Sequence, residues 1–500
     1  MKKIYKFAII VIVIAIINLV VCGVIFFRVS KVETMIDNSE VVEIEEIPIY
    51  DGWIEENGKW FYLDESTGEK TKGWATIDEK EYFFNPLNGI RWEGLLKLSD
   101  NEMYYFDKEG VLLKDCITEQ YVIGESGKIE RIFLTQEEQE ERKIELQTNV
   151  DEILAKYGAI SAGIALIENG EVTNTWEYGD AVKDSVAMTQ DTKIRIASIS
   201  KVIIGMNIFK AAEEGVLDID ESIGTYWGFP IANPEYPDIP ITLRTILTHT
   251  SSIADAEGYK NIEDRLKRNS VFRSVKPSSG SAYSYCNYAF AVGGTTLEKA
   301  ANKTIYDISE EYFFEPMGID ASFAGGRLEN SDLLASLYYA GGKMARSKET
   351  MAGFMGHENP GEDGSFMPGG LCISAKDLAK LICILVNDGS YQGQRYLTEE
   401  SVATIETEYC PADLHGAEVT QCLPLKYRTD IYGEDRLYFH TGSAYGAYTL
   451  FSYNPDTKNG VIVLTIGASG VCDENGIYAV CGDISELLYQ DAGKYIIDEL

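Results

Sequence analysis

The pattern of apolar and polar residues changes along the chain, and each change marks a separate segment. Residues 7–27 are almost all apolar, interrupted only by Asn18. As a helix this run would span about 30 Å, the thickness of the hydrocarbon core of a bilayer. Three lysines precede the run and acidic residues follow it, which predicts a cytoplasmic amino terminus and places the later residues outside the cell. We therefore expect a cytoplasmic stub and transmembrane signal anchor over 1–28, with a cleaved signal peptide as the alternative.

A repeated pattern follows an acidic linker over 29–49. Glycine and a following apolar residue recur every 21 residues, at Gly52, Gly73 and Gly94, and each unit continues with adjacent aromatic residues. A period near 20 with aromatic runs and glycine at the turns predicts β-hairpins that stack on one another. We assign this hairpin array to 50–134, with a degenerate fourth unit at its end.

The remaining residues, 135–500, have the pattern of a mixed domain of helices and strands. A charged amphipathic helix is predicted over 135–157, and the next segment alternates apolar and polar residues around Asn169-Gly170, a strong hairpin signal. Residues 205–400 have a mostly helical, loop-rich pattern. Later strands and a final helix are predicted at 437–440, 447–453, 460–466 and 484–500. Strands at both ends with helices between them predict an α+β fold with one antiparallel sheet packed by helices.

Composition restricts the possible partners and cofactors. The chain has 500 residues, 45% of them hydrophobic and 25% charged, as in folded globular proteins. A formal net charge of -35 argues against nucleic acid as a partner, because phosphates would be repelled. The four histidines and nine cysteines show no metal-ligand spacing, so we expect no metal and no cofactor. Cys410 with Cys422, and Cys472 with Cys481, are close enough for local disulfides, and buried thiols are the alternative.

Candidate chemistry begins with a serine and a lysine three residues apart, Ser198 and Lys201. In a helix, residues at this spacing lie on the same face, so the lysine amine can reach the serine hydroxyl. Serine is a weak nucleophile until a neighbouring base takes its proton, and a desolvated lysine can act as that base. The apolar residues 202–206 favour burial of this helix and of the amine. The two residues are therefore a candidate nucleophile and base.

Two further segments supply the remaining candidates, which are Tyr285, Asn287, His440, Thr441, Gly442 and Ser443. The phenol of Tyr285 can relay a proton to a leaving group, and the amide of Asn287 can orient a substrate. The second segment follows an apolar strand that ends at His440. Glycine beside an edge strand lets a substrate backbone approach closely. An exposed N–H in this segment can form an oxyanion hole with the N–H of Ser198.

Taken together and in this order, the three segments resemble the active site of the penicillin-recognising serine enzymes, specifically the class C beta-lactamase-like family. Outside them, ITLRTILTHTSSI at 241–253 resembles the family's I-T-x-R-x-L-L-T-H-T-S-G-L, and 368–389 resembles its A-G-G-L-x-S-T-A-x-D-L-A-R. The resemblance extends over roughly 145–495, and we assign a serine hydrolase domain to 135–500. It implies a beta-lactamase/transpeptidase-like antiparallel sheet flanked by helices, plus an all-helical subdomain.

The resemblance also implies a role for each candidate. Ser198 is expected to be the acylated nucleophile, Lys201 the base that activates it, and Tyr285 a partner in proton transfer. The substrate-binding and oxyanion positions are expected to be Asn287, His440, Thr441, Gly442 and Ser443. Tyr283 offers an alternative alignment for the tyrosine, and counting back from Gly294 favours Tyr285.

His440 stands where class C beta-lactamases have a lysine. A histidine with a reference pKa of about 6.5 is mostly neutral at pH 7, so it holds an anionic substrate less strongly by charge. This moves the expectation toward the family's esterases, D-peptidases and D-aminopeptidases. We expect an acyl-enzyme hydrolase of peptide, amide or ester substrates, such as a cell-wall D-peptide or a small ester. A beta-lactamase, and a penicillin-binding or sensory protein with little turnover, are the alternatives.

The hairpin array resembles the choline-binding or cell-wall-binding repeats of Gram-positive surface proteins. In that family, aromatic side chains between successive hairpins hold a quaternary ammonium by cation–π attraction. The resemblance implies a cell-wall polymer or choline as a partner of 50–134, and a rigid spacer is the alternative. With the apolar run at 7–27 in a membrane, we expect a single-pass protein whose catalytic domain is extracellular and acts on a small-molecule or peptidoglycan-derived substrate.

Overall fold

The computed structural model of the chain describes residues 52–496 except 65–66, 100–101, 257, 279 and 493. The predicted anchor at 7–27 and the acidic linker at 29–49 lie outside these residues. Among the residues described, no helix is both long and apolar enough to cross a membrane. The chain divides into two units, one running to Thr135 and including the residues from Lys494, and the other being Gln136–Gly493.

The first unit begins with β-hairpins. Its first six strands are β1 (Gly52–Glu56), β2 (Lys59–Leu63), β3 (Gly73–Ile77), β4 (Lys80–Phe84), β5 (Gly94–Ser99) and β6 (Glu102–Phe106). They pair in sequence as three separate hairpins, as the repeat period predicts. Trp53 of the first hairpin packs edge-on against Tyr82 of the second, with ring centroids 4.9 Å apart, and Trp74 packs in the same way against Tyr104 of the third at 4.8 Å. Aromatic contacts therefore join successive hairpins.

The degenerate fourth unit, predicted from 115 to 134, has a different form. Its three short strands are β7 (Cys116–Ile117), β8 (Tyr121–Ile123) and β9 (Ile129–Phe133). They form an antiparallel meander, and Tyr495–Ile496 adds a parallel strand beside β9. The helix predicted over 484–500 is therefore too long, because helical structure ends at Asp491 and Tyr495–Ile496 form a strand. Tyrosine and isoleucine favour strands, and pairing with β9 satisfies their backbone groups.

The second unit is built around a nine-stranded sheet. The strands of this unit are β10 (Ser161–Glu168), β11 (Glu171–Val182), β12 (Val186–Ala187), β13 (Ile194–Arg195), β14 (Leu337–Tyr338), β15 (Met344–Arg346), β16 (Cys372–Ile373), β17 (Ser390–Tyr391), β18 (Gln394–Arg395), β19 (Cys410–Leu414), β20 (Ala417–Gln421), β21 (Lys426–Ile431), β22 (Glu434–Ala444), β23 (Ala447–Asn454) and β24 (Asn459–Ile466). The sheet order is β12-β11-β10-β24-β23-β22-β21-β20-β19, and all neighbours are antiparallel. The prediction of one antiparallel sheet built from both ends of the domain is confirmed.

Helices cover both faces of this sheet. They are α1 (Gln136–Lys156), α2 (Ser200–Glu213), α3 (Ile223–Trp227), α4 (Leu243–Leu247), α5 (Ile262–Leu266), α6 (Asn287–Ala301), α7 (Ile305–Ser309), α8 (Glu315–Met317), α9 (Lys348–Ala352), α10 (Ala375–Val386), α11 (Glu399–Glu406) and α12 (Ala479–Asp491). The charged helix predicted over 135–157 is α1. Leu154 of α1 and Leu488 of α12 belong to the core on one face, whereas α2, α6 and α10 contribute to the core on the other.

Strand β10 shows how one strand serves both cores. Ile164 and Leu166 belong to the core that contains α1 and α12, and Ala165 and Ile167 belong to the core that contains α2, α6 and α10. Side chains on a strand point alternately to its two faces, so this is the expected division. All of β10 is buried. Alternate side chains of β10 therefore pack into two different cores, and neither face of the strand is exposed to solvent.

The sheet also extends further than the sequence pattern predicts. Strands β19 to β21 precede the first of the later strands predicted from the sequence, and they continue the sheet beyond β22. Pro411 lies within β19, where it is tolerated because β19 is the edge strand. Proline and charged residues in these short segments conceal their strand character.

The cysteines of the second unit are free thiols. Cys410 and Cys422 form no disulfide, and neither do Cys472 and Cys481. Of the two alternatives drawn from their spacing, the structure therefore has thiols. Burial raises the pKa of the Cys422 and Cys481 thiols, which keeps both protonated and unreactive.

Candidate active site

Ser198 follows a residue with an unfavourable backbone conformation. Ala197 has a φ of 51°, a left-handed value that costs energy for any residue with a Cβ. Ser198 lies in a single 3₁₀ turn, Ala197–Ile199, which leads directly into α2. Thr449 on β23 donates from Oγ1 to the carbonyl oxygen of Ile196 at 2.9 Å. The sheet therefore holds the turn, and with it the half-buried serine, in a fixed position.

Lys201 lies one turn further along α2 and is completely buried. Its Nζ donates to Ser198 Oγ at 3.0 Å and to the carbonyl oxygen of Pro368 at 2.7 Å. Burial lowers the pKa of Lys201 to about 7, and the negative charge of Asp255 acts in the opposite direction. At neutral pH a substantial fraction of Lys201 is therefore the neutral amine, the form that accepts a proton from serine.

Tyr285 is the tyrosine that borders this pair. Its ring centroid lies 5.0 Å from Lys201 Nζ, and 36% of its surface remains exposed. Desolvation of its hydroxyl raises the pKa of the phenol, and a hydrogen bond with Ser198 partly offsets that increase. The hydroxyl of Tyr283, the other candidate, instead accepts a hydrogen bond from Lys426 at 3.4 Å. The structure thus brings Tyr285 to Ser198 and Lys201, and places Tyr283 beside a second lysine.

Asn287 is the first residue of α6 and lies two positions after Tyr285. Its Nδ2 is 3.5 Å from Asp255 Oδ2, and the N–H of Tyr288 donates to Asp255 Oδ1 at 2.8 Å. Asp255 therefore ties the start of α6 to the preceding loop, and its charge favours the protonated form of Lys201. The sequence motifs do not include this carboxylate, because a single aspartate in a loop has no distinguishing spacing.

The third candidate segment lies along an open edge of β22. From His440 to Ala444, β22 pairs with β23 on one side. On its other side, pairing with β21 stops where Phe439 lies opposite Lys426, so the edge beyond has no strand partner within the described residues. Thr441 is buried there and Ser443 is exposed. An edge of this kind can pair with the extended backbone of a peptide.

Gly442 allows the turn that carries Ser198 to lie against the face of β22 next to this edge. A Cβ at position 442 would be 3.1 Å from the backbone nitrogen of Ser198 and 2.5 Å from the carbonyl oxygen of Ile196. No side chain fits at such distances without movement of the backbone. The N–H of Ser198 therefore lies against the strand that carries Ser443, as the expected oxyanion hole requires.

Two buried histidines face this region with one ring nitrogen free. His440 Nδ1 lies 2.7 Å from the carbonyl oxygen of Thr441, and His249 Nδ1 accepts from the N–H of Cys286 at 3.1 Å. The Nε2 atoms of both rings are buried without a hydrogen-bond partner in the described part of the chain. Burial, reinforced by the charges of nearby lysines, holds both pKa values well below the usual range, so both rings are neutral at pH 7. Neither belongs to a cluster of metal ligands among these residues.

Lys426 is a functional candidate that the motifs did not identify. It lies on β21, is 2% exposed, and donates from Nζ to Gln421 Oε1 at 3.0 Å. Its ammonium is 5.8 Å from the ring centroid of Tyr285. Burial lowers its pKa to about 8, so it remains mostly protonated at pH 7. The only sequence signal is a lysine that ends the apolar run from Cys422, a pattern more common in cores than in active sites.

Comparison with known proteins decides the family. The beta-lactamase family model matches residues 146–478, more than half of the chain. The chain belongs to the beta-lactamase family. It is therefore a serine hydrolase of the beta-lactamase-related type, and the matched region contains Ser198, Lys201 and the open edge of β22.

Curated relatives of this beta-lactamase-family domain include enzymes named for D-amino-acid substrates. The D-alanyl-D-alanine-carboxypeptidase/endopeptidase AmpH of Escherichia coli (strain K12) is 26% identical over 175 residues, which is 33% of this chain and 45% of that protein. The D-aminopeptidase of Brucella anthropi is 26% identical over 190 residues, which is 35% of this chain and 34% of that protein. The chain thus matches less than half the length of each of these relatives.

Solved structures share the fold of the beta-lactamase-family domain. The octameric penicillin-binding protein homologue from Pyrococcus abyssi has a TM-score of 0.56 at 21% identity, covering 70% of this chain and 78% of that one. The D-amino acid amidase from Ochrobactrum anthropi SV3 has a TM-score of 0.55 at 20% identity, covering 69% and 98%. These likenesses confirm the beta-lactamase-like α+β fold with its large sheet and flanking helices.

The first hairpin also matches a known family. A model for a cell wall binding repeat matches residues 51–66. In this hairpin Trp60 is 38% exposed, as a ligand-binding aromatic residue would be. The guanidinium carbon of Arg91, however, lies 5.8 Å from the ring centroids of both Trp53 and Trp60. A cation of the chain itself therefore covers the aromatic faces that the resemblance implies for a quaternary ammonium.

Proposed function

We propose that this serine hydrolase cleaves cell-wall-type peptides of D-amino acids, and small esters, through an acyl-enzyme on Ser198. The observation that carries this proposal is the 3.0 Å hydrogen bond between the fully buried Lys201 and Ser198. Support for the substrate class comes from relatives named as a D-alanyl-D-alanine-carboxypeptidase/endopeptidase and as a D-aminopeptidase.

Acylation starts with proton transfer from Ser198 to the neutral amine of Lys201. The freed Oγ forms a bond to the substrate carbonyl carbon, and the carbonyl oxygen becomes an oxyanion that accepts hydrogen bonds from the N–H groups of Ser198 and Ser443. The bond to the leaving group then breaks. The leaving nitrogen or oxygen takes up the proton through the hydroxyl of Tyr285, and the acyl group remains on Oγ as an ester.

Deacylation repeats these steps with water in place of the leaving group. A water molecule gives a proton to the Tyr285–Lys201 pair, and its oxygen forms a bond to the ester carbon. When the ester bond breaks, Ser198 Oγ takes back the proton and the product leaves as a carboxylic acid, which ionises. Each cycle therefore consumes one water and restores the starting protonation of Ser198 and Lys201.

Lys426 favours a leaving group that carries a carboxylate. Neutral His440 supplies no charge to an anion, but the protonated ammonium of Lys426 lies on the neighbouring strand, near the phenol of Tyr285. Because Tyr285 is the group that protonates the leaving group in this mechanism, we place Lys426, 5.8 Å from its ring centroid, on the leaving-group side of the scissile bond. A peptide that releases a terminal D-amino acid has its carboxylate on that side. This supports carboxypeptidase activity over simple ester hydrolysis.

The proposal is tested by incubating purified full-length protein with diacetyl-L-lysyl-D-alanyl-D-alanine, p-nitrophenyl acetate and nitrocefin. We expect release of D-alanine and of p-nitrophenol, with slow turnover of nitrocefin. Rapid nitrocefin hydrolysis without D-alanine release would instead identify a beta-lactamase. No turnover of any substrate, with Ser198→Ala indistinguishable from the unmodified protein, would identify a binding or sensory protein.

The pH dependence of kcat/KM should distinguish the role of Lys201 from that of Lys426. For p-nitrophenyl acetate, kcat/KM should rise as pH increases through about 7 and then level off, because the neutral form of Lys201 is the base. For the peptide, kcat/KM should also fall above about 8, because Lys426 loses the charge that holds the carboxylate. Lys426→Met should remove this alkaline fall. If both substrates show the same fall, Lys426 has no part in carboxylate binding.

We further propose that the enzyme is anchored by 7–27 with its catalytic domain outside the cell, and that the hairpins hold it on a cell-wall polymer. The match to a cell wall binding repeat supports this attachment. The position of Arg91 favours a wall polymer over choline as the partner. Co-sedimentation of the full-length protein with isolated cell walls is expected, with weak retention on choline resin. Retention on choline resin alone would reverse this assignment.

A further inference from the structure

Two arginines flank one tyrosine at the end of the open edge. Tyr445 directly follows β22, and its ring centroid lies 5.0 Å from Arg195 Cζ and 4.5 Å from Arg346 Cζ. Arg346 donates from Nη2 to the hydroxyl of Tyr445 at 3.3 Å. The hydrogen bond from Arg346 and the charge of Arg195 lower the pKa of the Tyr445 phenol. The positive charges of two arginines therefore lie next to the side chain of Tyr445.

The carboxylates of the described residues leave both arginines without an ion-pair partner. In the described part of the chain, neither Arg195 nor Arg346 forms an ion pair, and Arg195 Nε donates instead to the carbonyl oxygen of Gly369 at 2.7 Å. The chain has 79 acidic residues against 44 lysines and arginines, so carboxylates are abundant. Arg436 shows the usual arrangement, with two hydrogen bonds of 2.7 and 2.8 Å to Asp456. Two guanidinium groups that contact the same tyrosine and have no carboxylate partner among the described residues repel each other, and a bound anion would stabilise both.

This arginine pair is accessible and lies close to the nucleophile. Arg346 is exposed, and Arg195 and Tyr445 are half-buried. Arg195 precedes Ser198 by three residues, and Tyr445 follows Gly442 by three. Tyr445 lies in the turn that follows β22, and at about 3.3 Å per residue it is at most about 10 Å from Gly442, where β22 meets Ser198. A substrate extended along the open edge therefore reaches the arginine pair.

The direction in which the substrate binds determines whether its acyl part or its leaving group contacts Arg195 and Arg346. Tyr285 protonates the leaving group, and it lies with Lys201, Lys426 and His249 in one cluster. The acyl part then extends the other way along β22, past Gly442 to Tyr445. We propose that Arg195, Arg346 and Tyr445 form a binding site for a carboxylate on the acyl part of the substrate. This inference rests on the acyl-enzyme mechanism proposed above.

The site predicts a preference among acyl groups. An acidic acyl group gains bidentate hydrogen bonds from planar guanidinium groups, whereas an acyl group with a free ammonium is repelled. The enzyme should therefore act on peptides with an acidic residue before the scissile bond, and poorly as an aminopeptidase. The same geometry places one carboxylate-binding group on each side of the nucleophile, Lys426 on one and the arginine pair on the other.

The test compares two esters with the same acyl chain, mono-p-nitrophenyl suberate, whose far end is a carboxylate, and its methyl ester, whose far end is uncharged. The unmodified protein should favour the acid, and Arg346→Ala should lower the ratio of the two kcat/KM values about tenfold, by loss of a charged hydrogen bond. Arg346→Lys should recover part of the ratio. Arg436→Ala removes an arginine on β22 that is paired with Asp456, so it is the control and should retain the ratio. An unchanged ratio in Arg346→Ala overturns the proposal.

Calorimetric measurement of suberate binding tests the anion site without requiring hydrolysis, so it can fail or succeed independently of the proposed function. Ser198→Ala protein should bind suberate, and Ser198→Ala with Arg346→Ala should bind it about tenfold more weakly. If neither ester is hydrolysed but this difference is found, the proposed chemistry fails and the anion site stands. Equal suberate binding by the two variants overturns the anion site whatever the turnover.

Discussion

Replacing Lys201 by methionine should lower kcat/KM for every substrate by about 10²–10⁴-fold, the usual contribution of a positioned general base. Methionine fills nearly the same volume, so the packing of α2 is retained while the proton acceptor of Ser198 is lost. The measurement is the steady-state hydrolysis of p-nitrophenyl acetate at pH 8, where Lys201 is mostly neutral in the unmodified protein.

The thermal stability of this variant should not fall with its activity. Lys201 is completely buried, and desolvation of its amine disfavours the folded state when the amine is charged. Lys201→Met should therefore match or exceed the unmodified protein in thermal midpoint. Lys210→Met, on the same helix but half-exposed and paired with Glu214, is the matched control and should retain full activity. Activity in Lys201→Met within tenfold of this control contradicts the assignment of the base.

Replacing Gly442 by alanine should lower kcat/KM by about 10²-fold or more, on the scale of a lost oxyanion donor. The added Cβ would lie 2.3 Å from Thr449 Oγ1 and 2.5 Å from the carbonyl oxygen of Ile196. The turn that carries Ser198 must then move away from β22. Overpacking of this kind also costs about 1–3 kcal/mol of folding free energy, measurable by urea unfolding.

A second glycine provides the control for this effect. Gly163 lies on β10, buried in the same sheet, and a Cβ there would have its nearest neighbour at 3.4 Å, an ordinary contact. Gly163→Ala should therefore retain activity and most of its stability. If Gly442→Ala is as active as Gly163→Ala, close approach of β22 to Ser198 is not needed for catalysis.

The sequence was most informative where short-range geometry decides the structure. The spacing of Ser198 and Lys201 predicts their contact because α2 brings residues three apart to one face. The repeat of glycine and aromatic residues predicts the three hairpins for the same reason, since each hairpin closes within its own unit. Strands predicted at both ends of the domain, with helices between them, were enough to predict one antiparallel sheet, in which β10 pairs with β24.

The sequence was least informative where strands from distant segments bring single residues together. Lys426 lies near Tyr285 only because β21 pairs with β22, and Asp255 reaches Lys201 through a loop. Neither position has a spacing that distinguishes it from an ordinary lysine or aspartate. The arginine pair has the same origin, since Arg195 and Arg346 are far apart in the chain and meet only at Tyr445.

The sequence predicts that His440 is mostly neutral at pH 7, and from this it predicts weak binding of anionic substrates. Burial holds its pKa well below the usual range, as expected for a ring that offers no charge to an anion. The expectation of weak anion binding followed from His440 alone. Lys426 changes it, because a cation on the next strand can replace the charge that the motif lacks.

Mass spectrometry of the acylated protein tests the central claim most directly. Full-length protein is mixed with p-nitrophenyl acetate, quenched in acid within the first turnover, and digested. A mechanism through Ser198 and Lys201 predicts a burst of p-nitrophenol and one added acetyl group on the peptide containing Ser198, with neither in Ser198→Ala. An acetyl group on another residue, or an equal burst from Ser198→Ala, would contradict it.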